Sequence, residues 1–163
     1  MATSTLIQYL ETTAVNGLGV QVGVGIDTMN RSQIETFIAK ETLAEGDFVA
    51  FDLAAAANGD VTIGVFKADA NSAPVRTPFG VALSSASTGE KVRVCISGVC
   101  QALVSDNGGA GSAVGTLLQI TNTAGVADLA SAASAQPVVA VLAEVVAPAA
   151  GTTLKRVVVR KSF

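Results

Sequence analysis

The sequence has no histidine and no tryptophan, and only two cysteines and four prolines. Without histidine there can be no Ser-His-Asp or Cys-His arrangement and no imidazole-ligated zinc. Charged residues make up 14% of the chain and aromatics 4%. That is too sparse for a phosphate-neutralising face or a base-stacking platform, so nucleic acid is not an expected partner. Long apolar runs are missing too. The uncharged stretch 107–127 is broken by Gly, Ser, Thr, Asn and Gln and is unsuited to spanning a membrane. The N-terminus lacks the basic start and sustained apolar core of a secretory signal. The expectation is a soluble chain made in the cytoplasm, with no membrane partner.

What is present is small and apolar. Half of the 163 residues are hydrophobic, 16 are glycine, and the formal net charge is −3. The acids gather mid-chain (Glu41, Glu45, Asp47, Asp52, Asp60, Asp69), whereas four of the ten basic residues lie in the last nine positions: Lys155, Arg156, Arg160 and Lys161. That basic tail reads either as a solvated strand edge guarded against aggregation or as a contact for an acidic partner protein.

Residues 1–33 differ from the rest. Gly17, Gly19, Gly23 and Gly25 alternate with Leu18, Val20, Val22, Val24 and Ile26 around Gln21. Period two favours a strand, but one with a bare face and a weakly specified register, hence an arm that orders against a neighbour. Ser32-Gln33-Ile34-Glu35 matches a helix capping box, yet the following Thr36, Phe37 and Ile38 favour a strand.

Residues 34–163 alternate short apolar segments with Gly, Asn, Asp and Ser punctuation. Strands are expected at 35–40, 48–53, 61–67, 79–83, 91–97, 99–104, 116–121, 138–146 and 154–160, with a turn at Asn58-Gly59-Asp60. The Ala-rich pieces 54–57 and 130–135 allow a helical turn at most. The fold class is mainly β: a small barrel or sandwich with an extended N-terminal arm. A weak repeat points to two similar half-units. The segment 44–51 is similar to 113–120, and Gly80–Leu83 with Lys91–Ile96 is similar to Ala140–Ala143 with Leu154–Val159. Two such units packing together would close a small barrel.

Candidate chemistry is thin. Glu45 and Asp47 share a face by spacing, but in a turn they read as solvated residues. Gly17–Gly23 lacks the spacing and following helix of a dinucleotide fingerprint. Asp106-Asn107-Gly108-Gly109-Ala110-Gly111 lacks the repeated acids of a calcium loop and reads as a flexible connector. A turn at Ser97-Gly98 would set Cys95 opposite Cys100, close enough for a disulfide; two small buried thiols are the alternative that a reducing cytoplasm favours. No catalytic, cofactor or metal site is expected, and the chain does not read as an enzyme.

The run Glu35–Asp52 (ETFIAKETLAEGDFVAFD) resembles the opening of the capsid cement, or head decoration, proteins of tailed bacteriophages. Gly80–Leu83, Gly89–Val94, Ile96–Val99 and the closing Val157–Phe163 are similar to that family in the same order. The resemblance implies a virion protein with a barrel-like domain over 34–163, commonly a homotrimer, bound to the capsid exterior. Its partner would be the major capsid protein, whose neighbouring subunits it would clamp. On that reading residues 1–33 add a strand to, or lie along, a capsid or sister subunit. Ile7, Tyr9 and Leu10 are the arm's apolar anchors, and Arg156, Arg160 and Lys161 are the basic contacts. Another phage structural protein, such as a tail component, or a bacterial surface β-domain is the alternative.

Overall fold

The computed structural model describes residues 32–51, 64–71, 77–106, 108–130 and 138–160. Among these there is no helix. The strands are β1 (Gln33–Ala39), β2 (Phe48–Phe51), β3 (Gly64–Lys67), β4 (Pro78–Ala82), β5 (Lys91–Val104), β6 (Leu117–Ile120), β7 (Ala127–Leu129), β8 (Val138–Leu142) and β9 (Thr153–Val159). The expected β class is observed. Gln33 already lies in β1, so the capping-box residues do open a strand.

The hydrogen-bonded order closes on itself twice. In the first ring β1 pairs with β3 in parallel, and β3–β2, β2–β4, β4–β5 and β5–β1 are antiparallel. In the second, β5 pairs with β7 in parallel, and β7–β6, β6–β8, β8–β9 and β9–β5 are antiparallel. Each ring has five strands, and β5 belongs to both. Its first half, Lys91–Ser97, runs against β1, and its second half, Gly98–Val104, runs against β9.

The half-unit repeat is therefore real, but each half closes its own ring rather than contributing to one shared barrel. Every pairing in ring 1 has a counterpart in ring 2, down to the bulges at Val49/Ala50 and Leu118/Gln119. The turns match as well. Gly46 (φ +87°) and Gly115 (φ +88°) hold the third position of equivalent turns. Asp47 N–H donates to the Ala44 carbonyl and Thr116 N–H to the Ala113 carbonyl, each at 3.2 Å. A left-handed third position is what a type II turn demands, and glycine supplies it without a Cβ clash.

Three expectations change. The turn at Ser97-Gly98 is absent: β5 passes straight through, with Gly98 at φ +106°. Ladders of six residue pairs to β1 and seven to β9 outcompete a local hairpin, and glycine lets the strand pass from one ring to the next. Second, β8 stops at Leu142, and Val146 instead makes a lone bridge to Ser112, equivalent to Leu43–Ala86 in ring 1. Third, Ala127–Leu129 is a strand although its sequence carries no β-branched run. It is specified by its partners β5 and β6 rather than by its own residues.

Two clusters form the core. Phe37, Val49, Val65, Phe79, Val92, Val94 and Ile96 fill ring 1, where Phe51 stacks on Phe79 with centroids 3.8 Å apart. The second cluster joins the ring 2 side chains Ala102, Val104, Leu118, Leu142, Val157 and Val159 to Phe48, Ala50, Val81 and Cys95 of ring 1. The rings are thus fused by apolar packing as well as by a shared strand. Between them, Phe48 N–H donates to the Gly125 carbonyl at 2.9 Å, and Leu103 N–H to Gly46 at 2.8 Å.

Candidate interaction surface

Ile7, Tyr9, Leu10 and Lys161, together with the glycine-punctuated arm and the Asn58-Gly59-Asp60 turn, lie outside the described residues. Arg156 and Arg160 are described. Along β9 the side chains alternate: Val157 and Val159 are buried, while Leu154, Arg156, Val158 and Arg160 face outward. The structure therefore brings Arg156 and Arg160 onto one face with two exposed apolar residues.

This strand is not an edge. β9 is hydrogen-bonded to β5 on one side and β8 on the other, so its backbone is already paired. The solvated-edge reading of the basic tail does not hold for residues 153–159. Whatever these residues recognise, they recognise with side chains. Lys155 is committed locally: its Nζ lies 3.1 Å from Glu144 Oε1, and Arg156 N–H donates to Glu144 Oε2 at 3.4 Å. The Lys155 ammonium, followed by the Arg156 amide, holds the Glu144 carboxyl below its usual range.

Asp47 corrects the expectation of a solvated carboxylate. It is 2% exposed, at the seam between the rings. One carboxylate oxygen, Oδ2, accepts from Ala44 N–H at 2.7 Å and lies 3.2 Å from Lys67 Nζ. A Cβ on Gly125 would sit 2.5 Å from the other oxygen, so the ring 2 turn closes against this side chain. Held through Oδ2 and packed against Gly125, Asp47 is a structural tie at the seam.

The cysteines are free and buried. They do not face each other across a hairpin, yet the passage through Gly98 brings the two thiols into a mutual hydrogen bond. That bond draws Cys95 down to about 7, and the same bond together with burial pushes Cys100 up. Asp106 is tied on two sides: Gly111 N–H donates to its carbonyl at 2.8 Å, and Gly151 N–H to its Oδ2 at 2.9 Å. Among the described residues no three His, Cys, Asp or Glu side chains converge as metal ligands.

Neither a family model nor a curated protein matches this chain. Among solved structures it is similar to the head fiber gp8.5 N base in bacteriophage phi29, with a TM-score of 0.51 and 19% identity. The match covers 79% of this chain and 94% of that one. The likeness is one of fold. It spans nearly the whole of the phi29 base.

Sequence reasoning missed the apolar members of the outward face, Val158 and Leu117. The signal was available for Val158. It stands between two valines that period-two alternation assigns to the core, so it must point the other way.

Proposed function

We propose that this chain is a structural protein of a bacteriophage head, mounted on the outside of the capsid and working by binding rather than by catalysis. The observation that carries the reading is the likeness of its fold to a head fiber base over 94% of that structure. The ordered sequence resemblance to capsid cement proteins supports it from a different direction. In the finer form of the reading, the chain is a cement protein that clamps neighbouring major capsid protein subunits. It does so as a homotrimer, with no nucleic acid or membrane partner. Many copies, each making modest contacts, would add up to tight retention. Residues 1–33 reach a capsid or sister subunit through Ile7, Tyr9 and Leu10, and Arg156, Arg160 and Lys161 provide the basic contacts.

A second reading, the base of a head-attached fibre, is favoured specifically by the phi29 likeness. Sedimentation with purified heads and, separately, with purified tails tests the common part. Pelleting with heads alone is expected, and a chain left in the supernatant with heads overturns it. A map of the virion separates the two forms. Cement gives density bridging capsid subunits across the shell, whereas a fibre base gives isolated points with density continuing outward. Deleting residues 1–30 is expected to abolish head binding while leaving the circular dichroism of the β domain unchanged. Undiminished binding would reject the arm.

A further inference from the structure

Cys95 and Cys100 stand on one strand, where regular pleating over that spacing would aim them at opposite faces, about 16 Å apart. β5 is not regular between them. Ile34 meets Cys95 and Gln33 meets Ser97, so one step on β1 spans two on β5, and Ile96 is an extra residue. Such a residue offsets the alternation beyond it and bends the strand. Gly98, at φ +106°, adds a second bend. The bulge puts both cysteines on one side of β5, and the bends bring them together.

Both side chains lie in the cluster that fuses the rings, and their thiols are in hydrogen-bond contact. The Ser97 carbonyl accepts from Cys95 Sγ at 3.5 Å, which holds that side chain in place. The backbone between the two, Ser97–Val99, is half-buried rather than buried, and Gly98 offers no side chain as a lid. A molecule little larger than water therefore meets a thin cover, whereas a bulkier alkylating agent is kept out. The two sulfurs are also unlike each other. Contact with Cys100 draws Cys95 down to about 7, while Cys100 is pushed up and keeps its proton. An attacking thiolate beside a protonated partner is the arrangement of a redox pair.

We propose that this pair is an oxidation site: hydrogen peroxide converts Cys95 and Cys100 into an intrachain disulfide that locks β5 where the two rings join. The Cys95 thiolate attacks one peroxide oxygen, the O–O bond breaks and hydroxide leaves, taking up the proton that Cys95 gave. Cys95 is then a sulfenic acid, oxidised by two electrons while the peroxide is reduced. The Cys100 sulfur attacks the Cys95 sulfur. The S–S bond forms, the S–O bond breaks, and the departing hydroxide takes the Cys100 proton to leave as a second water. The proposed virion role sets when this happens. The reducing host cytoplasm keeps the thiols free during synthesis, and release of particles from the cell exposes them to oxidants.

The timing rests on that role, but the bond is tested without any capsid. The full chain, reduced and then freed of reductant, is treated with hydrogen peroxide while folded. It is next unfolded in iodoacetamide and weighed intact by mass spectrometry. Untreated chain takes two alkyl groups; treated chain is expected to take none and to weigh two hydrogens less. Cys100→Ser leaves the Cys95 sulfenic acid without a resolving thiol, so dimedone should trap it on unfolding. Cys100→Ala gives the same readout if the serine variant does not fold. The closed loop is short, so the oxidised wild-type chain should melt only about 5 °C higher. Retention of both thiols, over-oxidation without a linkage, or disulfides only between chains overturns the proposal. An oxidised form that melts no higher overturns the lock. Failure to bind heads would overturn the virion reading instead and leave the bond standing.

Discussion

Asp47, the residue before β2, and Lys67, the last of β3, form an ion pair of 3.2 Å, with the carboxylate buried and the ammonium partly exposed. Removing one member leaves the other without its counter-charge. Asp47→Ala is expected to destabilise by about 2–3 kcal/mol, below the full range for a dry pair because Lys67 reaches water. Lys67→Met should cost a similar amount. Urea denaturation of both single variants and the Asp47→Ala/Lys67→Met double variant checks this: the double variant should recover part of the summed loss.

Gly125 adjoins the same carboxylate at φ +80°, and an added Cβ would lie 2.5 Å from Asp47 Oδ1. Gly125→Ala therefore combines backbone strain with a clash at the seam and should cost about 2–4 kcal/mol. Gly89 has a similar φ, +87°, but open space around its Cβ position. Gly89→Ala should cost only about 1 kcal/mol. Equal losses in paired denaturation curves would contradict the tie between Asp47 and the ring 2 turn.

Phe48 belongs to ring 1 but is buried in the cluster that fills ring 2. Phe48→Ala should cost about 3–5 kcal/mol. Because the rings share β5 and this cluster, the loss should lower a single transition. Two separated transitions in calorimetry would show that the rings fold independently.

Glu144 is held below its usual range by Lys155, so its favourable contribution is present above the unfolded value and disappears as pH falls through the folded one. Carboxyl NMR titration is expected to place its midpoint below 4.5. Lys155→Met should move that midpoint back up.

Cys95 and Cys100 should resist iodoacetamide in the folded protein, because burial denies access even where Cys95 is drawn toward the thiolate. Mass spectrometry is expected to find no added group natively and two after unfolding. Labelling of either thiol in the native state would contradict the packed passage through Gly98.

Much of the fold was legible because local pattern and final structure agree. The alternation Val92, Val94, Ile96 places those residues in the ring 1 core, and the repeat of Ala44–Phe51 in Ala113–Ile120 reflects two equivalent turns and strands. What was illegible depends on partners distant in sequence. Ser97-Gly98 carries the local chemistry of a turn, but β1 and β9 supply ladders that keep β5 extended. Asp47 has the composition of a solvated turn, but Lys67 and Gly125 meet it only in three dimensions. The outward face was half legible: Arg156 and Arg160 stood out by charge, while Val158 was hidden among core valines.

The pairing along β5 brings the chain's entry and exit together. Gln33 meets Ser97 and Val159 meets Gly98, so the first residue of β1 and the last of β9 pair with adjacent residues at the midpoint of one strand. A short linker from residue 160 back to residue 32, with a new opening at the Thr88-Gly89 turn, would permute the order of the elements without altering any ladder. The same closeness makes this double ring suited to insertion as a cassette in a surface loop of another protein.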